Sequence, residues 1–225
     1  MNAETINKLK ERVENMLPLI KNGGLSKEEI EQVSNEVRAA IKEDPSAGKQ
    51  LGQLVALISA AVKSQPAKID MNWVAVGNGH LSIGHKPGGK LPYEGMKQNG
   101  ASVILTLLHE NEGAEQIGQQ TEKAQLTWVW FPFSASRPHE GDALVEVVDL
   151  YKKLQVLLNS GNRIYVHCSA GIHRTGMITY GLLRYMGKNE AEAKEMLQQL
   201  RPVTAAQVGD DRLQWGEQFG NQALT

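Results

Sequence analysis

The segment His167-Cys168-Ser169-Ala170-Gly171-Ile172-His173-Arg174-Thr175-Gly176 brings a thiol, a guanidinium and a hydroxyl close together, and Cys168 is the only cysteine in the chain. Arg163 to Val166 ahead of it reads as a short buried strand, and Met177 to Met186 after it as a helix. A strand, a loop of small residues and a helix opening at an arginine together describe an anion pocket. Loop amides from Ser169 to Arg174 can converge on phosphate oxygens while the helix N-terminus adds positive potential. The same field favours a thiolate, lowering a thiol's pKa from about 8.5 to roughly 3.5–7.5. Arg174 offers a planar fork that matches two phosphate oxygens, which a lysine does not reproduce. The plainer alternative is a buried structural cysteine beside a helix-capping loop.

These residues resemble the signature loop of cysteine-dependent protein tyrosine phosphatases, His-Cys-x5-Arg-Ser/Thr. The likeness rests on the preceding His167, the Ser169-Ala170-Gly171 run, the Arg174-Thr175-Gly176 run and the strand and helix flanks. It covers roughly residues 70–220 and is nearest to the compact dual-specificity branch. It implies a central, mostly parallel sheet flanked by helices, with Cys168, Arg174 and Thr175 catalytic. Cys168 would attack phosphorus and water would release the cysteinyl-phosphate. Arg174 and the amides of Ser169, Ala170, Gly171, Ile172 and His173 would hold the phosphate oxygens. Thr175 takes the place of the hydroxyl that assists the sulfur's departure. His167 would organise the loop or simply pack. His173 would either face solvent or line the pocket mouth.

The resemblance also exposes a gap. The family's general acid, usually an aspartate, lies on a mobile loop after a strand and often a proline. In Phe131-Pro-Phe-Ser-Ala-Ser-Arg-Pro-His-Glu-Gly-Asp142, Ala135 and Ser136 stand near the expected position, and neither is a useful proton donor. Asp142, Asp210 and Asp211 are the substitutes, with His139 and Glu140 behind them. Each aspartate also suits a plain helix start. Gln207 falls where the family often orients the hydrolytic water.

The elements around the motif fall into two parts. Residues 1–66 read as three amphipathic helices. Pro18 and Asn22-Gly23-Gly24 disturb and end the first, Ser26-Lys-Glu-Glu29 caps the second, and Pro66 closes the third. They form either a structural appendage or a module that docks a partner or positions substrate. Residues 67–225 alternate strands (73–76, 81–83, 102–108, 126–131) with helices (about 144–160, 189–200 and 210–219), the signature of an α/β domain.

Composition narrows the function classes. The 225 residues are 41% hydrophobic and carry a formal net charge of −1, so nothing global favours nucleic acid or an anionic membrane. No apolar run approaches the ~18 residues needed to span a bilayer, and the charged N-terminus has no secretory h-region. A cytoplasmic protein is expected, although a bacterial effector delivered by dedicated machinery would look the same. The lone cysteine has no resolving thiol, so oxidation would be buffered by a sulfenamide or mixed disulfide. No metal or other cofactor is expected. The leading expectation is a phosphatase for protein phosphotyrosine, with phosphoserine and phosphothreonine possible. Its competitors are an impaired phosphoprotein-binding module and a phosphatase for inositol phosphates or RNA 5′-phosphates. The lack of lysine in the loop, at Ala170, Ile172 and His173, disfavours highly charged phosphoinositides.

Overall fold

The computed structural model describes residues 3–21, 24–64, 69 and 71–220. They divide into two compact units, Met1–Ala67 and Lys68–Thr225.

The first unit holds helices α1 (Ala3–Lys21), α2 (Lys27–Glu43) and α3 (Gly48–Lys63). Their apolar stripes meet in one core that includes Val13, Ile20, Val33, Val37, Leu51, Leu54 and Ile58. Ser26 caps α2 as expected: its Oγ accepts the Glu29 N–H at 3.2 Å while the Glu29 carboxylate accepts the Ser26 N–H at 2.7 Å. Pro18 does not end α1. The helix runs on to Lys21, and Ile20, only 1% exposed, ties its last turn to the core. That burial offsets the hydrogen bond a proline cannot make. Asn22, Gly23 and Pro66 lie outside the described residues.

The second unit is built on a five-stranded sheet of order β1-β2-β5-β3-β4. The strands are β1 (Val74–Val76), β2 (Gly79–Gly84), β3 (Val103–Thr106), β4 (Thr127–Trp130) and β5 (Arg163–His167). Only the β1–β2 hairpin is antiparallel. Both β3 and β5 are apolar at successive positions because both faces of the sheet are covered. Val103, Leu105, Ile164 and Val166 face a core completed by α6 (Leu144–Asn159), α7 (His173–Tyr185), α8 (Glu190–Leu200) and α10 (Asp210–Glu217). Ile104 and Tyr165 face the opposite core, with Met96 of α4 (Tyr93–Gln98) and Ala124 just after α5 (Ala114–Lys123). A short α9 (Pro202–Gln207) follows α8.

The helices differ in part from the reading of the sequence. Helices α4 and α5 were not anticipated, since α4 is brief and α5 reads mostly as polar. The helix after the signature segment begins at His173, four residues before Met177. Its first intrahelical bond runs from the Gly176 N–H to the Ile172 carbonyl at 2.8 Å, so Arg174 and Thr175 belong to its first turn.

Candidate active site

Strand β5 is central and parallel to both neighbours, so its C-terminal end delivers Cys168 to the edge of the sheet where loops gather. The chain must then reverse within Cys168–Ile172 to start α7. Gly171 makes this reversal possible. It has φ +72°, and a Cβ there would lie 2.1 Å from the Gly84 carbonyl oxygen. Any side chain would push the loop off the end of β2.

Cys168 is 4% exposed, and its Sγ accepts the Gly171 N–H at 3.2 Å. Burial is the largest single influence on this thiol and pushes its pKa up. The Thr175 hydroxyl and the N–H groups of Thr175, Gly171 and Ile172 together outweigh it, so the thiol ends below its ordinary value. Thr175 is fully buried, and apart from the sulfur its hydroxyl has no hydrogen-bond partner among the described residues.

Arg174 turns its guanidinium toward this sulfur, and the Glu112 hydrogen bonds, then Cys168, raise its pKa. Glu112 grips the terminal edge: Nη1 donates to Oε2 at 2.6 Å and Nη2 to Oε1 at 2.8 Å, with a long contact from Nη1 to the Leu107 carbonyl at 3.4 Å. These three bonds do not use the side edge, formed by Nε and the remaining Nη2 hydrogen, which has the geometry to meet two oxygens of an anion. Glu112 also accepts the His109 N–H at 2.9 Å. The Arg174 hydrogen bonds are the main reason its carboxyl falls to about 2.

His167 is completely buried, and burial first of all lowers its pKa to about 4, so the ring is neutral. Its Nδ1 lies 3.0 Å from the Cys168 carbonyl, which can only accept, so Nδ1 carries the proton. Nε2 is then an acceptor, and the Thr106 hydroxyl at 2.9 Å must donate to it. Thr106 in turn accepts from the indole N–H of Trp128 at 3.0 Å. The chain Trp128, Thr106, His167, Cys168 carbonyl thus has one direction throughout. Through this chain His167 links the Cys168 carbonyl to β3 and β4.

The loop is also held from behind. Arg201, between α8 and α9, donates through Nη1 to the carbonyls of Ala170 at 3.0 Å and Gly171 at 2.8 Å. The buried Thr204 hydroxyl donates to the same Gly171 carbonyl at 2.7 Å. The Ser169 carbonyl accepts the Lys86 N–H at 3.0 Å. Ser169, Ala170 and His173 are exposed and Ile172 is half-buried. His173 therefore faces solvent on the first turn of α7.

The remaining candidates are not drawn into this network. Asp142 is exposed in the short 3-10 turn Gly141–Ala143 before α6. Asp210 and Asp211 are exposed in the first turn of α10, and Gln207 is exposed at the end of α9. Val208 beside Gln207 does lie against the start of α7, since a Cβ on Gly176 would fall 2.7 Å from its side chain. His139 is stacked on Phe131 and Phe133 at centroid distances of 5.3 and 5.7 Å, and its carbonyl accepts the Trp215 indole N–H at 2.9 Å. Its Nε2 is 3.3 Å from the Glu146 carboxylate. Glu140 is exposed.

The sequence reading missed Glu112, Arg201, Thr204, Thr106 and Trp128. Glu112 left a trace in His109-Glu-Asn-Glu112, a carboxylate three residues after a turn start, and Arg201 beside Pro202 marks a helix end in the sequence but nothing more. Nothing in the one-dimensional pattern marks Thr106, Trp128 or Thr204.

Comparison with known proteins matches residues 84–188 to the family described as Tc-R-P, polymorphic toxin system, DSP-PTPase phosphatase. The second unit carries a phosphatase domain of the dual-specificity and tyrosine phosphatase superfamily. Three solved structures share its fold. Kinase associated phosphatase, with its catalytic-site cysteine replaced by serine, is 15% identical over 69% of this chain and 96% of its own, with a TM-score of 0.57. Tk-PTP in its active form is 14% identical over 67% and 95%, with a TM-score of 0.53. PTPMT1 in complex with PI(5)P is 13% identical over 68% and 96%, with a TM-score of 0.52. No curated protein matches the chain. The matched segment of the phosphatase domain runs from the end of β2 through α7, and so contains Glu112, Cys168 and Arg174 but not Arg201.

Proposed function

We propose that this phosphatase domain hydrolyses phosphotyrosine in proteins, with phosphoserine and phosphothreonine as secondary substrates, through a cysteinyl-phosphate. The observation that carries the mechanism is a single buried thiol, favoured as thiolate by three amides and a hydroxyl, facing a guanidinium whose terminal edge Glu112 grips. In the first step the Cys168 Sγ–P bond forms, the ester P–O bond breaks, and the leaving oxygen takes up a proton. In the second, a water oxygen bonds to phosphorus, the P–S bond breaks and thiolate returns, assisted by the Thr175 hydroxyl. Arg174 and the loop amides hold the charge that builds on the phosphoryl oxygens.

The substrate reading rests on the loop's side chains. Ala170 and Ile172 add no charge, and His173 points to solvent, so a headgroup with several phosphates finds no cationic partner inside the loop. Gln207 is the proposed orienter of the hydrolytic water, and Asp210 or Asp211 is preferred slightly over Asp142 as proton donor. Phosphorylated protein is thus the proposed partner, with no role for nucleic acid or membrane, and the first unit is proposed to dock that partner. No helix among the described residues is long and apolar enough to cross a membrane.

The test is turnover of p-nitrophenyl phosphate and of a phosphotyrosine peptide by the full chain, with Cys168→Ser as control. Hydrolysis of both by the wild type and of neither by the variant is expected. A second reading, a phosphoprotein binder, is favoured by Ala135 and Ser136 where the acid is expected. Tight peptide binding with no turnover of either ester would establish it instead.

The matched family's description also favours action outside the producing cell, as a delivered toxin component. Growth arrest of a susceptible cell expressing the wild type, relieved in Cys168→Ser, is the expected result. Equal growth with both chains would reject toxicity in that host.

A further inference from the structure

The nucleophile loop contains two successive peptide groups that are each tied at both ends. In the Ala170–Gly171 peptide, the N–H donates to the Cys168 sulfur at 3.2 Å while the carbonyl on the opposite side accepts from Arg201 at 3.0 Å. In the Gly171–Ile172 peptide, the Ile172 N–H acts on the same sulfur while the Gly171 carbonyl accepts from both Arg201 and Thr204. A trans peptide is planar, with its N–H and C=O pointing in opposite directions, so fixing one end aims the other. No cis peptide occurs among the described residues.

We propose that Arg201 and Thr204 are positioning residues for the nucleophile: by holding the Ala170 and Gly171 carbonyls outward, they keep the amides of Gly171 and Ile172 turned on the Cys168 sulfur. Neither residue touches the sulfur. Arg201 Nη1 makes three hydrogen bonds, two to these carbonyls and one to Thr204 Oγ1 at 3.2 Å, which couples the two braces. The brace is needed because Gly171, held here at φ +72°, has no Cβ to restrict it, and glycine populates several wells at similar energy. Released carbonyls would be satisfied by water instead, and the amides would no longer be held toward the thiolate. The braces come from the α8–α9 junction, about thirty residues downstream of the loop, so the nucleophile's ionisation depends on a segment outside the signature.

The inference deepens the proposed reaction at the same site, but its test needs no substrate. Thiolate formation is followed by ultraviolet absorbance against pH in the full chain, with Cys168→Ser as the blank. Arg201→Met is expected to raise the thiol midpoint by about one pH unit, which lowers the thiolate fraction about tenfold below both midpoints. Thr204→Val should raise it by less, and Thr204→Ser, which keeps the hydroxyl, should restore the wild-type midpoint. Arg184→Met removes a different half-buried ion pair, with Glu217 at 2.9 Å, and should lower Tm without moving the midpoint. If Arg201→Met fails to fold, the Thr204→Val and Thr204→Ser pair decides. An unchanged midpoint in the folded brace variants, or an equal rise in Arg184→Met, overturns the proposal. Loss of peptide turnover with a normal wild-type thiolate titration would count against the substrate reading alone.

Discussion

The two loops that a phosphatase of this kind needs are built in opposite ways here. In residues 168–175, the carbonyls of Cys168, Ser169, Ala170 and Gly171 are all hydrogen-bonded, the first by the neighbouring His167 ring, the second by the Lys86 N–H, and the last two by Arg201. Residues 131–142 are instead held by aromatic packing, with Phe133 buried, His139 stacked on its ring, and Trp215 gripping the His139 carbonyl. Between those anchors Ser134 and Ser136 hydrogen-bond each other at 3.2 Å, and Ser136 and Arg137 are exposed. Recognition of a phosphoryl group tolerates little misplacement, since reacting atoms must be aligned within fractions of an ångström. Proton delivery can be met by several side chains or by water when the leaving group is good. The loop whose geometry is demanding is the one that is pinned.

The comparison breaks most sharply at Cys168. Cys168→Ser should abolish turnover of both esters, while the melting curve stays within a few degrees of wild type, because serine fits the same cavity. Measurable turnover in a pure sample would remove the thiol from the chemistry. Arg174→Lys should come next, with kcat/KM falling about 10²–10³-fold, because charge is kept but the fork is lost. Near-normal kinetics would show that the guanidinium does not hold phosphate.

Glu112→Gln probes the rigidity of the same loop. Losing the charged grip on the terminal edge of Arg174 should lower kcat/KM about tenfold and leave the thiol nucleophile in place. Unchanged kinetics would mean that Arg174 finds its orientation without this carboxylate. The grip also has an acid limit. Glu112 has a folded-state pKa of about 2 against an ordinary 4.5, so its contribution is present above pH 4.5 and is lost as pH falls toward 2. His167 adds an earlier loss. Its pKa of about 4 lies below the ordinary 6.5, so the unfolded chain binds the proton first and stability declines as pH drops from 6.5 toward 4. Urea midpoints measured across that range should fall with pH in the wild type and fall less in His167→Gln. Equal slopes would mean that His167 is not the group titrating.

The same contrast explains what could be read from the chain. The loop from Cys168 to Thr175 stood out in the sequence because its proposed chemistry is contiguous: Cys168, Gly171, Arg174 and Thr175 must follow one another to wrap one anion. The strands β3 and β5 were legible because a sheet covered on both faces demands unbroken apolar runs. Glu112, Arg201 and Thr204 were not, because each acts on the loop across long sequence separation and uses a residue type with many other duties. The start of α7 was misplaced because Arg174 and Thr175 were read as loop residues, whereas they lie in the helix's first turn.

The smallest effect, and the finest test of the comparison, concerns the missing acid. p-Nitrophenol is a good leaving group and needs little protonation, whereas a tyrosine phenol leaves poorly as an anion. If Asp210 or Asp211 supplies the proton, its Asn variant should lose rate on a phosphotyrosine peptide far more than on p-nitrophenyl phosphate. It should also lose the alkaline limb of the pH profile. Asp142→Asn should leave both features alone, because that carboxylate stands exposed at the start of α6 on the loosely held loop. Retention of the alkaline limb in all three variants would exclude these carboxylates together. His139 and Glu140 would then be tested in turn. His139→Gln is the more informative, because its ring is already fixed between two aromatic side chains and a carboxylate at 3.3 Å. Should that limb also persist in His139→Gln and Glu140→Gln, proton delivery would fall to water, and the peptide should be turned over far more slowly than p-nitrophenyl phosphate by the wild type itself.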